Sequence, residues 1–286
     1  MKTERTHKPQ FEKASLEEWL ESPKKRIKKI PVNIINKRDN LLRFSQLYIN
    51  FSRWLTWAEQ TPEIEQESAM GLKLASKMYS AFLKLAAQPE QELTFKIYDL
   101  PQVTWNGKGM LEAGYAAPAE WLDAYFLAVI TRDKESMDSL ANFPVEIMKQ
   151  SATKAGPVSY NLVEVFQAYH HRQSNYPALL NECMKMAVAQ GNDWALDIAM
   201  GYLETFAALT TDIGFDFNET LAKNLQLQEK YWINASDPNT VPVDSFLPLQ
   251  LLGMACMWHD RGNQVLVESD SLPRFLIEGK YFNGLR

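Results

Sequence analysis

Apolar residues recur at three- and four-residue steps along most of this chain. Leu41, Phe44, Tyr48, Phe51, Leu55 and Ala58 share one face of a helix over 40–58, the spacing that 3.6 residues per turn requires. Thr61-Pro62 opens the next helix, because proline's missing N–H costs nothing in a first turn. Leu72, Ala75, Tyr79, Phe82 and Ala86 carry it to Ala87, ahead of Pro89. The short break between the two predicts a long antiparallel pair. Residues 118–131 are apolar on nearly every side through Trp121, Tyr125, Ala128 and Val129, which places that helix in the core. Asp133 caps a short helix over 134–142, and further helices follow at 158–171, 177–190, 193–210, 218–232, 246–260 and 272–277. Gly191 ends one of these, and Asp193 and Asn218 read as N-caps. Near the start, Ser15-Leu16-Glu17-Glu18 has the form of a capping box for a short first helix that Pro23 stops.

One stretch departs from the helical period. Leu93, Phe95 and Ile97 alternate as in a strand and Asn106-Gly107 is a hairpin-type turn signal. Residues 91–115 therefore read either as a short hairpin or as an extended crossover loop. No self-similar period of ~34 or ~40 residues is present, so a tetratricopeptide or HEAT array is not supported. The fold class is all-α: an irregular antiparallel array of about nine or ten helices, with a minor β-hairpin near residues 91–110.

Composition adds limits. With 286 residues, 46% of them hydrophobic, and 8 Trp, 11 Tyr and 14 Phe, the chain can bury its own core and is too rich in aromatics to be disordered. The low content of 12 Gly and 14 Pro disfavours a turn-rich β-sandwich. Cys183 and Cys256 lie on apolar segments without ligand spacing and read as buried thiols in a reducing compartment. No apolar run approaches the ~20 residues of a membrane span, and the first residues lack an apolar core of a signal peptide. The expected location is cytoplasmic, without membrane contact.

The formal charge of -5 is unevenly spread. The first forty residues hold 11 basic and 6 acidic side chains, leaving 19 and 29 for the remainder. The expected organisation is a basic, partly flexible head over 1–39 and one α-helical domain over 40–286. The run Lys24-Lys25-Arg26-Ile27-Lys28-Lys29 reads as a solvated linker, with a nucleic-acid contact as its sharper alternative. The acidic body disfavours nucleic acid as the main ligand, since that interaction relies on Lys and Arg neutralising phosphates, and suits a basic protein partner.

Enzyme signatures are absent. There is no Gly-x-Gly-x-x-Gly, Walker loop, Gly-x-Ser-x-Gly or His-Glu-x-x-His. Adjacent His170 and His171 point to different sides of a helix and cannot chelate one metal from a single face. No catalytic, metal-binding or cofactor-binding residue is assigned, and the expectation is a protein that is not an enzyme. Glu59, Glu63 and Glu67 recur every four residues, with Pro62 separating Glu59 from the helix that carries the other two. They read as a solvated acidic face that complements the helix dipole, or as a patch for a basic partner. Trp54 lies off the apolar stripe beside them; it either packs against a neighbouring helix or anchors an interface.

Three segments taken together carry a family resemblance. The first is Pro118-Ala119-Glu120-Trp121-Leu122-Asp123-Ala124-Tyr125, continuing to Thr131-Arg132-Asp133. The second is Phe217-Asn218-Glu219-Thr220-Leu221-Ala222, continuing to Tyr231-Trp232. The third runs from Pro248-Leu249 through Ala255-Cys256 and His259-Asp260-Arg261-Gly262 to Val267-Glu268-Ser269-Asp270-Ser271-Leu272-Pro273-Arg274. In this order, over roughly residues 40–277, they resemble immunity protein family 49, all-α immunity proteins of bacterial polymorphic toxin systems.

The resemblance implies a cytosolic protein that neutralises a cognate toxin by stoichiometric occlusion. Toxins neighbouring this family are often nucleases, whose basic surfaces would attract an acidic body. Trp121, Arg132, Asp133, Asn218, Trp232, Glu268, Ser269, Asp270 and Pro273 are expected to determine the fold, with Glu59, Glu63, Glu67 and Trp54 as candidate partner contacts. The alternatives are an α-helical hydrolase without a recognisable motif and a nucleic-acid-binding adaptor using the basic head. A homo-oligomer is equally compatible with the apolar stripes.

Overall fold

A computed structural model describes residues 2, 13–211, 214–236 and 243–282. The chain divides into two compact units, residues 10–154 with 281–286, and residues 1–9 with 155–280. Among the described residues there are thirteen α-helices and one two-stranded antiparallel sheet, so the fold is all-α with a minor hairpin. The helix count exceeds nine or ten because short helical turns form where loops were expected.

The N-terminal unit contains α1 (Lys13–Ile27), α2 (Ile30–Asn33), α3 (Asp39–Leu55), α4 (Pro62–Ala87), β1 (Leu93–Phe95), β2 (Val103–Trp105), α5 (Pro118–Ile130), α6 (Lys134–Ala141) and α7 (Val145–Gln150). Helices α3 and α4 are its spine. The Ser45 hydroxyl donates to the carbonyl of Ala75 (3.1 Å) and the Ser52 hydroxyl to that of Ser68 (3.5 Å), which fixes an antiparallel register. Between these two contacts the ring edge of Tyr48 meets Gly71, where a Cβ would sit 2.9 Å from the ring carbon Cδ1. Thr61 caps α4 ahead of Pro62, its hydroxyl accepting the Ile64 N–H. Helix α5 is buried on almost all sides, and its Trp121 donates an indole hydrogen bond to the Leu140 carbonyl (2.8 Å), tying α5 to α6.

Two local expectations change here. Helix α1 begins at Lys13 and continues through Pro23 to Ile27, so Pro23 does not stop it. Leu16 and Leu20 bury a stripe against α3, and that burial offsets the one backbone bond a proline removes. The hairpin pairs Leu93 with Trp105, Thr94 with Thr104 and Phe95 with Val103. Asn106-Gly107 follows β2 and is not its turn. A Cβ at Gly107 would lie 2.0 Å from the Leu85 carbonyl oxygen, so that glycine serves close approach to the end of α4.

The C-terminal unit contains α8 (Pro157–His170), α9 (Tyr176–Gln190), a π-helical turn (Trp194–Ala199) running into α10 (Met200–Thr210), α11 (Phe217–Ala235), α12 (Leu249–Asp260) and α13 (Arg274–Ile277). Phe206 of α10 stands edge-on to Phe166 and to Tyr169, each at 4.9 Å. A polar seam crosses this core. Asn224 donates to the Gly201 carbonyl (3.1 Å) and the Thr205 hydroxyl (3.0 Å), while Gln228 donates to the Tyr202 hydroxyl (3.3 Å), which donates on to Gln250 (3.3 Å). Cys183 and Cys256 are buried free thiols, and burial pushes Cys183 up to about 12.

Caps in this unit differ by one or two residues from the sequence reading. Asn192, not Asp193, accepts the Ala195 N–H (2.9 Å). Asp216, not Asn218, caps α11 by accepting the Glu219 N–H (2.8 Å). Asn218 lies inside the first turn and its side chain is free to reach another segment.

The spine carries a direct test. Alanine is ordinarily favoured over glycine within a helix by about 1 kcal/mol, but at Gly71 the new methyl overlaps Tyr48, and overpacking costs about 1–3 kcal/mol. Gly71→Ala is expected to lower the melting temperature. In a Tyr48→Ala background the same substitution should raise it, a reversal of sign that thermal denaturation of the four proteins measures.

Candidate functional site

Two polar constructions, one in each unit, gather most of the residues singled out by the sequence. In the N-terminal unit the centre is Asp133. Arg132 closes α5 in a left-handed conformation (φ 55°) and its guanidinium donates to the Ile130 carbonyl (2.6 Å). That turn aims Asp133 at the start of α6, where its carboxylate accepts the Ser136 N–H (3.2 Å) and hydroxyl (2.6 Å). The same carboxylate accepts the Ser76 hydroxyl of α4 (3.2 Å) and pairs with Lys77 Nζ (2.8 Å), which also meets Glu135 (2.7 Å). Burial opposes the charge on Lys77, but the hydrogen bonds and charges of Asp133 and Glu135 outweigh it and hold its pKa above the ordinary lysine value.

One turn earlier on α4, Lys73 is 7% exposed and its ammonium makes no hydrogen bond. It sits 5.1 Å from the centre of the Tyr98 ring. Burial lowers its pKa, the charge of Asp133 partly restores it, and Lys77 opposes it. A cleft of about 270 Å³ opens between α4, β1 and α6, lined by Lys77, Lys84, Lys96, Ser80, Ser136 and Glu135 among others. Lys77 is already neutralised there and Lys96 donates to the Leu100 carbonyl (2.7 Å), so the cleft presents no converging set of unsatisfied groups.

In the C-terminal unit Asn218 holds an extended segment beside α11. Its amide donates to the Gln264 carbonyl (3.3 Å) and its oxygen accepts the Leu266 N–H (2.7 Å). Trp258 stacks on Phe217 at 4.6 Å and donates to the same Gln264 carbonyl (3.1 Å). Glu268 and Asp270 are exposed, and the backbone of Glu268 bridges to Lys2. Ser269 turns the chain, its hydroxyl accepting the Ser271 N–H (3.2 Å), and Pro273 precedes α13. Trp232, near the end of α11, stands edge-on to Tyr231 with its indole N–H buried and unpaired.

The candidate partner contacts separate into two kinds. Glu59, Glu63 and Glu67 are exposed around the start of α4. Hydrogen bonds from the backbone N–H of Glu63 and from Thr61 lower the pKa of the Glu63 carboxyl, so this side chain turns toward the helix start. Trp54, by contrast, is only 8% exposed, with the tilted ring of Trp19 of α1 packed against it at 5.0 Å. The structure therefore joins the three carboxylates on one exposed stretch and keeps Trp54 out of it. The basic run ends α1, where Lys24, Lys25 and Arg26 complement the negative end of the helix and Lys25 pairs with Glu21 (2.6 Å).

Sequence reasoning did not single out Lys73, Lys77, Phe215 or Leu266. The lysines sit in an ordinary amphipathic pattern, and only the fold brings them to Asp133. Phe215 and Leu266 lie outside the helical stripes, so helical periodicity is silent about them; Val265 to Val267 reads as a short extended piece, which does not by itself mark Leu266 as a contact.

Among the described residues no cluster of three His, Cys, Asp or Glu side chains could hold a metal ion, and no helix is long and apolar enough to cross a membrane. Fold and polar clusters together define a helical scaffold whose assembled charges are spent on joining helices. A family model described as immunity protein 49 matches residues 59–276, most of the chain. The chain belongs to the immunity protein 49 family. No curated protein and no solved structure matches it.

The Asp133 centre generates two expectations. Asp133→Ala removes a cap, breaks the pair with Lys77 and takes away the charge that offsets buried Lys73, and should destabilise by about 2–4 kcal/mol in chemical denaturation. Lys73→Met should stabilise at neutral pH by about 1–3 kcal/mol, because it removes an unpaired buried ammonium and keeps the volume. The folded-state pKa of Lys73 is depressed, so its charge costs stability below that value. The advantage of Met should shrink as pH rises from the folded value toward the unfolded lysine value of about 10.4.

Proposed function

We propose that this chain is an immunity protein that binds a cognate bacterial effector toxin stoichiometrically and blocks it by covering the active site or the groove that admits its substrate. The match of the immunity protein 49 family to residues 59–276 carries this reading. A non-enzymatic, cytoplasmic binding role agrees with it: Asp133, Lys77 and Glu135 satisfy a helix end and one another. The proposed partner is a toxin with a basic surface, as a nuclease has, and nucleic acid is not a direct ligand.

The acidic body supplies long-range attraction to such a surface, with the exposed carboxylates Glu59 and Glu67 as part of it. Fields of this kind act mainly on association and fade as salt shortens the screening length to about 8 Å at 0.15 M. The toxin encoded beside this gene should kill cells when expressed alone and spare them when this chain is co-expressed; killing undiminished by the chain would exclude the reading. For the purified pair, the association rate should fall by about 10-fold or more between low and high salt. Glu59→Lys with Glu67→Lys should slow association roughly 3–10-fold at low salt and leave dissociation nearly unchanged. This double variant spares Glu63, whose carboxylate serves the helix start.

A further inference from the structure

We infer that Phe215 and Leu266, set among exposed carboxylates of the C-terminal unit, form the docking surface for the basic face of the toxin; this rests on the immunity reading above. Phe215 is 61% exposed and Leu266 53%. Phe215 lies between Gly214, at φ 67°, and the cap Asp216, so it precedes α11 and takes no part in its buried face. On the second segment, Val265 and Val267 are buried, and the alternation of an extended backbone turns Leu266 outward. Asn218 bonds both Gln264 and Leu266 and so lays this segment along the first turn of α11. Half-buried Trp258, stacked on Phe217, supports the segment from beneath.

Charge on the same two segments is one-sided. Asp216, Glu219, Asp260, Glu268 and Asp270 are all exposed. Against them stand Lys2, Arg261 and Arg274; the guanidinium of Arg261 is engaged by the Leu209 carbonyl and the Tyr169 hydroxyl, and that of Arg274 donates to the Val265 carbonyl (3.0 Å) and pairs with Glu278 (3.9 Å). Single exposed apolar residues are ordinary on any surface. Two large ones, Leu266 on the segment held by Asn218 and Phe215 just ahead of the helix that carries Asn218, together with a carboxylate rim, match the makeup of an interface centre and its edge. The rim also selects the occupant. Anionic lipid headgroups and nucleic-acid phosphates are repelled by it, and a second copy would bring the same acidic rim. A basic protein surface with an apolar recess is complementary to it. Around Glu59, Glu63 and Glu67 the sequence-predicted anchor Trp54 is covered by Trp19.

The test uses the full chain and the toxin domain encoded beside its gene, inactivated for binding measurements. Phe215→Ser with Leu266→Ser should weaken the complex on the order of 100-fold, mainly through faster dissociation. The melting temperature of the free protein should be unchanged, since both side chains face solvent. Val188→Ser with Leu196→Ser, an equally exposed apolar pair elsewhere in the same unit, should leave affinity unaltered. Glu268→Gln with Asp270→Asn should slow association at low salt. Hydrogen exchange on the wild-type complex should show protection at 214–219 and 264–268. If wild type neutralises the toxin while the Phe215/Leu266 variant binds as tightly and those segments stay unprotected, the surface assignment falls and the immunity reading stands. If wild type neither binds nor neutralises, the immunity reading falls and takes the surface with it.

Discussion

Short helices leave unpaired N–H groups at one end and unpaired carbonyls at the other, and a chain made of many of them must satisfy these groups at every junction. In the N-terminal unit that constraint converges on Asp133. Its carboxylate caps α6 while binding Ser76 and Lys77 of α4, and the left-handed turn at Arg132 that aims it also closes α5. One side chain thus fixes how three helices meet. Asn218 does comparable work in the C-terminal unit, where an amide supplies both a donor and an acceptor to an extended segment. Such junctions are demanding: the pattern of donors and acceptors is specific, whereas an apolar contact needs only volume.

Lys73 marks the cost of this arrangement. Its ammonium is buried one turn from Lys77 on the same helix, and Asp133 already serves Lys77 and Ser136. The pair Lys77–Asp133 gains from low surrounding polarity, whereas Lys73 loses by it, since an unpaired charge retains its desolvation penalty. The ring of Tyr98 offers a partial substitute for a hydrogen-bond partner. A network that holds helices in place therefore carries a local destabilisation beside it.

Much of the fold was legible because periodicity reports burial. The α3–α4 pair, the core position of α5 and the helices from 157 onward follow from apolar spacing alone. What escaped were decisions made by contacts distant in sequence. Pro23 does not end α1, since Leu16 and Leu20 gain more by packing on α3 than one backbone bond is worth. Asn106-Gly107 has the form of a hairpin turn, yet its glycine answers to the Leu85 carbonyl. Asn218 has the residue type of a cap, but Asp216 reaches the N–H groups first, which frees Asn218 for the clamp. The candidate contacts divide in the same way: the carboxylates were legible as exposed charges, while Trp54 could not be placed until Trp19 of α1 was seen to cover it.

An immunity protein must bind before its toxin acts, so both encounter rate and readiness of the surface matter. The acidic surplus acts at distances of a screening length and needs no fixed geometry. Anchoring is different, because ordering a loop on contact subtracts from affinity about 0.5–1.5 kcal/mol for each immobilised side chain. Leu266 avoids much of that loss: its own N–H is held by Asn218 and its neighbours Val265 and Val267 are already buried. Phe215 is fixed at its C-terminal side by the capped start of α11. On the proposed docking surface a residue expected to determine the fold would bear on function as well, since the clamp that satisfies the backbone also holds Leu266. Scaffold and proposed surface would then be coupled through the same hydrogen bonds, and a change at Asn218 would be felt in both.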